Sequence, residues 1–161
     1  MQRIPTALAW RAIGESRGAS TSTSIMAVLG ERARLDLIQF PGAQGNLEIF
    51  ERAASGRGLI SLAPEPDGIV RRLPAFSRIE ESYWPALSLE LIRLGMGAGG
   101  FVLAVGAAGL EAAVLQYPAG HLTLPVTGDG RAWIYFSDPA RRPAHLISAA
   151  ELLEQPPAPV P

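Results

Sequence analysis

Apolar residues recur along the chain in short runs, separated by glycine, proline and small polar residues, so the backbone changes direction often. Near the start, Ile4, Leu8, Ala12 and Ile13 fall at close to helical spacing, and Pro5 suits a first turn. Ile4 to Glu15 is therefore predicted as a helix. Gly18 to Ser24 is a polar loop. Ile25-Met-Ala-Val-Leu29 is predicted as a short buried strand, closed by Gly30. After the turn cluster Pro41-Gly-Ala-Gln-Gly45, Asn46 is placed to cap a helix running to about Ser55, which Gly56 and Gly58 end.

Two later segments share one grammar. In the first, Leu59-Ile-Ser-Leu-Ala63 leads through Pro64-Glu-Pro-Asp-Gly68 into Ile69-Val-Arg-Arg-Leu73. In the second, Leu122-Thr-Leu-Pro-Val126 leads through Thr127-Gly-Asp-Gly130 into Arg131-Ala-Trp-Ile-Tyr-Phe136. Asp-Gly between apolar runs is a strong hairpin signal, because Gly takes a positive φ without steric penalty. Between them, Tyr83 to Leu94 fits a helix with Pro85 in its first turn, Gly95 as its stop, and Leu87, Leu91 and Leu94 as its buried stripe. A strand is the alternative there, since Leu87, Leu89 and Leu91 also alternate. Ser148 is placed to cap a last short helix, Ala149 to Glu154, and Pro156 to Pro161 is a stiff extended tail. The pattern predicts an α/β domain, with α+β as the alternative. It would be a mixed sheet with two hairpin-like units and helices packed on it, one domain over residues 1–155 followed by the 156–161 tail.

Composition narrows the chemistry. The chain has 161 residues, 48% of them apolar, which is enough for a sizeable core and excludes intrinsic disorder. It has no cysteine, so disulfides, thiolate metal sites and cysteine nucleophiles are excluded. All 14 basic residues are Arg, so the Lys of a phosphate-binding Gly-Lys-Ser/Thr loop is missing. Richness in Ala and Arg without Lys points to a GC-rich bacterial genome. The net charge of −1 offers no electrostatic footprint for nucleic acid. The most apolar stretch, Phe101 to Leu110, is cut by Glu111, short of the roughly 20 residues a spanning helix needs. The first residues make a poor signal peptide, because Arg11 interrupts a short apolar run. A mean hydropathy of +0.18 is high for a soluble domain and suggests apolar surface that another segment covers.

Several motifs match in spacing but not in context. Gly95-Met-Gly-Ala-Gly-Gly100 has the Gly-x-Gly-x-x-Gly spacing, but a predicted helix precedes it and no ribose-binding acid follows about 20 residues on. It reads as a helix-to-strand connection. Gly14-Glu-Ser-Arg-Gly18 has the nucleophile-elbow spacing without a strand or oxyanion loop before it, so Ser16 is no nucleophile. His121 and His145 lie on separate elements without a carboxylate cluster, so no metal site is predicted. Glu80 and Glu81 read as charges at a helix entry rather than as an acid/base pair. No catalytic residue and no cofactor is expected.

The order of motifs from Gly56 onward is more specific. Gly56-Arg-Gly-Leu-Ile-Ser-Leu-Ala-Pro-Glu-Pro-Asp-Gly-Ile-Val-Arg-Arg-Leu-Pro74 is followed by Tyr83-Trp-Pro-Ala-Leu-Ser-Leu-Glu-Leu-Ile-Arg-Leu94. Then come Leu122 to Arg131, Ile134-Tyr-Phe136 and Ile147-Ser-Ala-Ala-Glu-Leu-Leu153. This order resembles the CHASE type-two sensor domain. The resemblance spans about Gly56 to Leu153 and is that of a middle segment or a shortened member. The family's opening Ile-Asp strand and Trp-Pro-Arg turn do not occur before Gly56, and its closing strand does not occur after Leu153.

The resemblance implies a non-catalytic, extracytoplasmic input domain of a bacterial transmembrane signalling protein. Its output would be an adenylate cyclase, histidine kinase, diguanylate cyclase or protein kinase. It would sit at the periplasmic face of the inner membrane, held by segments outside this chain, and would answer an unidentified small-molecule or protein signal. Dimerisation is expected to accompany it, since paired outputs need paired inputs. The residues nominated for a ligand are Asp67, Arg71 and Arg72, where an Arg facing a pocket would bind an anion bidentately. Arg71 and Arg72 point to opposite faces of a strand, so only one can do this. The competing reading makes Asp67 a turn former and the arginines edge charges. Asp129 and Arg131 repeat the pattern. The alternative for the whole chain is a free-standing small-molecule-binding or protein-interaction domain.

Overall fold

The computed structural model describes residues 5–14 and 24–136, with Asp138, Ser148, Ala150 and Glu154 beyond them. Ser16 and His145, both set aside as sites, most of the predicted last helix and the Pro-rich tail lie outside the described residues.

In chain order the elements are β1 (Ala7–Ile13), β2 (Ile25–Gly30), a single 3-10 turn (Arg32–Arg34), β3 (Ile38–Phe40), β4 (Gly42–Gln44), α1 (Glu48–Ala53) and β5 (Gly56–Leu59). They continue with β6 (Arg72–Pro74), β7 (Phe76–Ile79), β8 (Ser82–Pro85), α2 (Leu87–Gly95), β9 (Gly100–Gly106), β10 (Gly109–Tyr117), β11 (Gly120–Leu124) and β12 (Arg131–Trp133). The strands form small mixed sheets ordered β4-β1-β5, β11-β10-β9-β2 and β3-β7-β8, and an antiparallel pair β12-β6. This agrees with a mixed-sheet domain carrying packed helices.

The first element is a strand where helical spacing predicted a helix. β1 pairs in parallel with β5 (Ala7↔Gly56 to Trp10↔Leu59), and its second half pairs antiparallel with β4. Both partners lie far along the sequence, and their ladder bonds outweigh a weak local helical preference. The predicted strand at Ile25 forms as β2, parallel to β9.

Two clusters make the core. Phe76 and Phe101 meet edge to face at 5.3 Å in the larger one, which also buries Leu37, Leu103, Leu110, Leu115 and Leu124. The smaller one joins Trp10, Ala43, Leu59, Ile79 and Trp84, with the two indoles 5.0 Å apart. Trp10 Nε1 donates to Glu51 Oε1 at 2.8 Å, whereas the buried Trp84 Nε1 has no hydrogen-bond acceptor.

Both predicted helices form in altered terms. Leu47, not Asn46, holds the N-cap position of α1 and gives no side-chain bond. Asn46 instead donates its backbone N–H to Glu51 Oε1 at 3.0 Å and its amide to Ala9 O at 3.1 Å, tying α1 to β1. Pro85 closes β8 rather than entering α2. The expected leucine stripe is not the buried face of α2: Leu91 is 52% exposed, while Glu90 is 0% and Arg93 8% exposed. Arg93 donates Nε to Glu90 Oε2 and Nη2 to Oε1, both at 2.8 Å, and Nη1 to Ala98 O at 2.7 Å. Ser24 adds its hydroxyl to Glu90 Oε2 at 2.5 Å. Glycines on β5 make room for this face. A Cβ at Gly56 would stand 2.1 Å from Glu90 Oε1, and one at Gly58 would stand 2.4 Å from Leu87 Cα.

Glu80 and Glu81 sit in the tight turn between β7 and β8, not at a helix entry, and Arg78 Nη2 donates to Glu81 at 2.8 Å. Gly95 to Gly100 connects α2 to β9, as its context predicted. His121 is exposed on β11.

Candidate functional site

The two Asp-Gly segments both fold as turns. In the first, Gly68 N–H donates to Glu65 O at 2.8 Å, Glu65 N–H to Ile69 O at 3.0 Å, and Asp67 Oδ1 accepts Ile69 N–H at 3.0 Å. Gly68 takes φ +79°, which a side chain would resist. In the second, Gly130 N–H donates to Thr127 O at 2.8 Å and Thr127 Oγ1 donates to Asp129 Oδ1 at 2.5 Å.

The arms leading out of these turns do not pair with their own incoming arms. They pair with each other: β6 and β12 run antiparallel with Arg131↔Pro74, Ala132↔Leu73 and Trp133↔Arg72. Ile134 N–H extends the ladder to Arg71 O at 2.9 Å. The incoming arms go elsewhere, β5 to β1 and β11 to β10.

This crossed pairing brings four charges from both turns together. Arg72 grips Glu65 bidentately, Nε to Oε1 at 2.7 Å and Nη2 to Oε2 at 2.9 Å. Arg131 donates Nε to Asp129 Oδ2 at 2.6 Å. The two pairs are cross-linked by longer contacts, Arg131 Nη1 to Glu65 Oε1 at 3.7 Å and Arg72 Nη1 to Asp129 Oδ2 at 3.9 Å. The Arg72 hydrogen bonds hold the Glu65 carboxyl below its ordinary range, against a smaller opposing effect of burial. For Asp129 burial is the largest single effect and works upward, but the bonds from Arg131 and Thr127 together outweigh it and the net shift is down. Glu65 in turn raises Arg72.

Of the nominated residues, Asp67 and Arg71 are brought together and Arg72 is turned away from them. Arg71 Nη1 lies 2.8 Å from Asp67 Oδ2, with the two side chains 44% and 50% exposed. The Ile69 amide first, and Arg71 second, lower the Asp67 carboxyl. Arg72 emerges from the opposite strand face into the four-charge cluster, as strand alternation requires. The residues that sequence reasoning missed are Glu65 and Trp133. The repeated turn grammar marked both segments but carried no sign that they face one another. Beside the second turn, Arg34, Asp36, the β9–β10 turn, Gly128 and Asp129 line an open depression of about 540 Å³.

Among the described residues, no group of three or more His, Asp or Glu side chains could hold a metal ion. No helix among them is long and apolar enough to cross a membrane. The family model of the CHASE2 domain matches residues 7–161. This chain belongs to the CHASE2 domain family. CHASE2 domains are extracellular sensory domains without catalytic activity of their own, so the chain's role is sensory. The match begins at residue 7, where the motif order had placed the resemblance only from Gly56. β1 to α1 are therefore part of the CHASE2 domain, and so is the stretch after Leu153. No curated protein and no solved structure matched this CHASE2 domain.

Proposed function

We propose that this CHASE2 domain is the extracytoplasmic input module of a bacterial transmembrane signalling protein. It lies at the periplasmic face of the inner membrane, anchored by segments outside this chain. It reports to an output of the adenylate cyclase, histidine kinase, diguanylate cyclase or protein kinase kind. The observation that carries the reading is the family match over residues 7–161, because a sensory family without catalysis leaves the output to another part of the polypeptide.

The signal site in this reading is the tip of the first turn. A sensor needs a ligand with different affinity for two arrangements of the protein. Arg71 supplies such a choice, since its guanidinium can hold Asp67 or an incoming carboxylate or phosphate, and Asp67 keeps the Ile69 amide in either case. Arg72, the next residue on the same strand, grips Glu65 and stacks on Trp133. A shift of Arg71 is thereby passed to β12 and the second turn. Two such inputs side by side would serve paired outputs, which supports a homodimeric receptor.

The test has two arms. Thermal unfolding of the domain with added succinate or inorganic phosphate should show a rise in Tm that Arg71→Ala removes. A full-length receptor carrying Arg71→Ala should lose its signal-dependent output. No rise with either anion, together with an unchanged output, removes the site. An open reading frame closed near both ends of this segment would instead favour a free-standing binding or interaction domain.

A further inference from the structure

We propose that the depression beside the second turn is a binding site for a free α-amino acid, with Arg34 holding its carboxylate and Asp36 its ammonium group. Three segments meet there: the 3-10 turn with the residues that follow it, the β9–β10 turn, and the second Asp-Gly turn. Leu35, the C-cap of the 3-10 turn, is extended (φ −84°, ψ 91°), so Arg34 and Asp36 leave the backbone on one side and Leu35 on the other. Leu35 packs on the larger core cluster and Leu37 is buried in it. The segment is thereby anchored, and its two charges line the depression.

Between the charges the lining is small. Ala107, Ala108, Gly109 and Gly128 supply backbone and methyl groups, and Asp129 is the third charged residue. Gly109 is needed for this shape, since it takes φ +103° and a Cβ on it would stand 2.9 Å from Gly128 O. Leu110 N–H donates to Gly128 O at 3.0 Å and holds the two turns together. At about 540 Å³ the depression has the size of a small-molecule site.

The charges select the ligand. Arg34 gives Glu31 only its Nε, at 2.6 Å, and its Nη groups make no hydrogen bond among the described residues. Asp36 is exposed and joins no hydrogen bond or ion pair among them. Asp129 is already held by Arg131 and Thr127. The rim therefore presents one open cation and one open anion, two residues apart, or about 6.6 Å along extended chain. A simple anion drawn to Arg34 meets Asp36 as well, and a simple cation drawn to Asp36 meets Arg34, so each is repelled by one of the two. A ligand with both charges on one carbon satisfies both, and the small lining leaves room for its side chain. Asp129 belongs to this lining and to the four-charge cluster, so an occupant borders the β6–β12 pairing without involving Arg71. That consequence rests on the sensory reading, whereas the binding does not.

Thermal unfolding of the full chain is followed with each standard L-amino acid in turn. At about 10 mM at least one should raise Tm by about 3 °C or more. The matching carboxylic acid without the amine, and the matching amine without the carboxylate, should not. Arg34→Gln and Asp36→Asn change exposed side chains and should fold as the native chain does, yet each should abolish the rise. Arg71→Ala should keep it in full. With the amino acid bound, the backbone amide resonances of Gly109 and Gly128 should shift. No rise with any amino acid would overturn the proposal. An equal rise with the carboxylic acid alone would make this an anion site and overturn it too. A rise that survives Arg34→Gln and Asp36→Asn, or that Arg71→Ala removes, would place the binding elsewhere, with the same consequence.

Discussion

Trp133 stands directly opposite Arg72 across the β6–β12 ladder, and the Arg72 guanidinium carbon lies 5.3 Å from the centroid of the indole. The guanidinium is held by Glu65, so an indole that is 66% exposed is propped from beneath by a fixed cation. The seam between the two turns is thus tied by a ladder, a charge cluster and a cation–π contact at once.

That arrangement separates two adjacent arginines. Arg71→Ala removes an exposed pair and should leave Tm within about 2 °C of the native protein, since such pairs contribute little. Arg72→Ala strips Glu65 of its bidentate partner and Trp133 of its support, and should lower Tm distinctly more. Thermal unfolding of both variants under one condition checks the order. Equal losses would mean that the cluster does not hold the seam.

Acid should weaken the fold through the same cluster. The Glu65 carboxyl is lowered from its ordinary 4.5 in the folded protein, and Asp129 and Glu51 are lowered as well. The unfolded chain therefore binds more protons than the folded one in this range, and stability rises with pH. The contribution is fully present above about 4.5 and is lost as the pH falls through the lower folded values. Denaturant unfolding should show stability nearly level from pH 7 to about 5 and declining below that. Glu65→Gln should have a shallower decline, having already lost its share.

The buried pair on α2 should be far more sensitive to a single change than to a double one. Glu90→Gln leaves the Arg93 charge in the interior without its counter-charge and should cost about 3–5 kcal/mol in urea unfolding. Replacing both residues by Leu and Met removes two charges together and should cost much less. A double variant as unstable as the single one would show that Ser24 and Ala98 O depend on the pair more than on its packing.

The two stacked indoles should respond differently to Phe. Trp10→Phe loses the hydrogen bond to Glu51, whereas Trp84→Phe deletes a buried N–H that has no acceptor. Trp10→Phe should be the more destabilising by about 1 kcal/mol, read from denaturant midpoints at equal m-value.

Local chemistry was legible in the sequence, and long-range choice was not. The turns at Asp67-Gly68 and Asp129-Gly130 follow from residues that tolerate φ > 0 or bond their own backbone, which no distant partner needs to supply. The apolar run at Ile25 and the glycine link from Gly95 to Gly100 were readable for the same reason. The order of motifs from Gly56 to Leu153 also pointed to the family that the whole chain proved to match.

What the tertiary structure decided was which pieces meet. Ala7–Ile13 became a strand because β4 and β5 offered ladders to it, and nothing within those seven residues announces partners more than 25 residues away. Glu90 and Arg93 read as solvent-facing in any hydrophobic pattern, since a pattern scores each charge alone and cannot see that each neutralises the other inside. The site residues divide along the same line. Asp67 and Arg71 are four apart on one turn, and the sequence alone put them within reach. Glu65, Arg72, Asp129 and Arg131 became one cluster only when the outgoing arms of two turns, alike in sequence and more than 50 residues apart, chose each other over their own incoming strands.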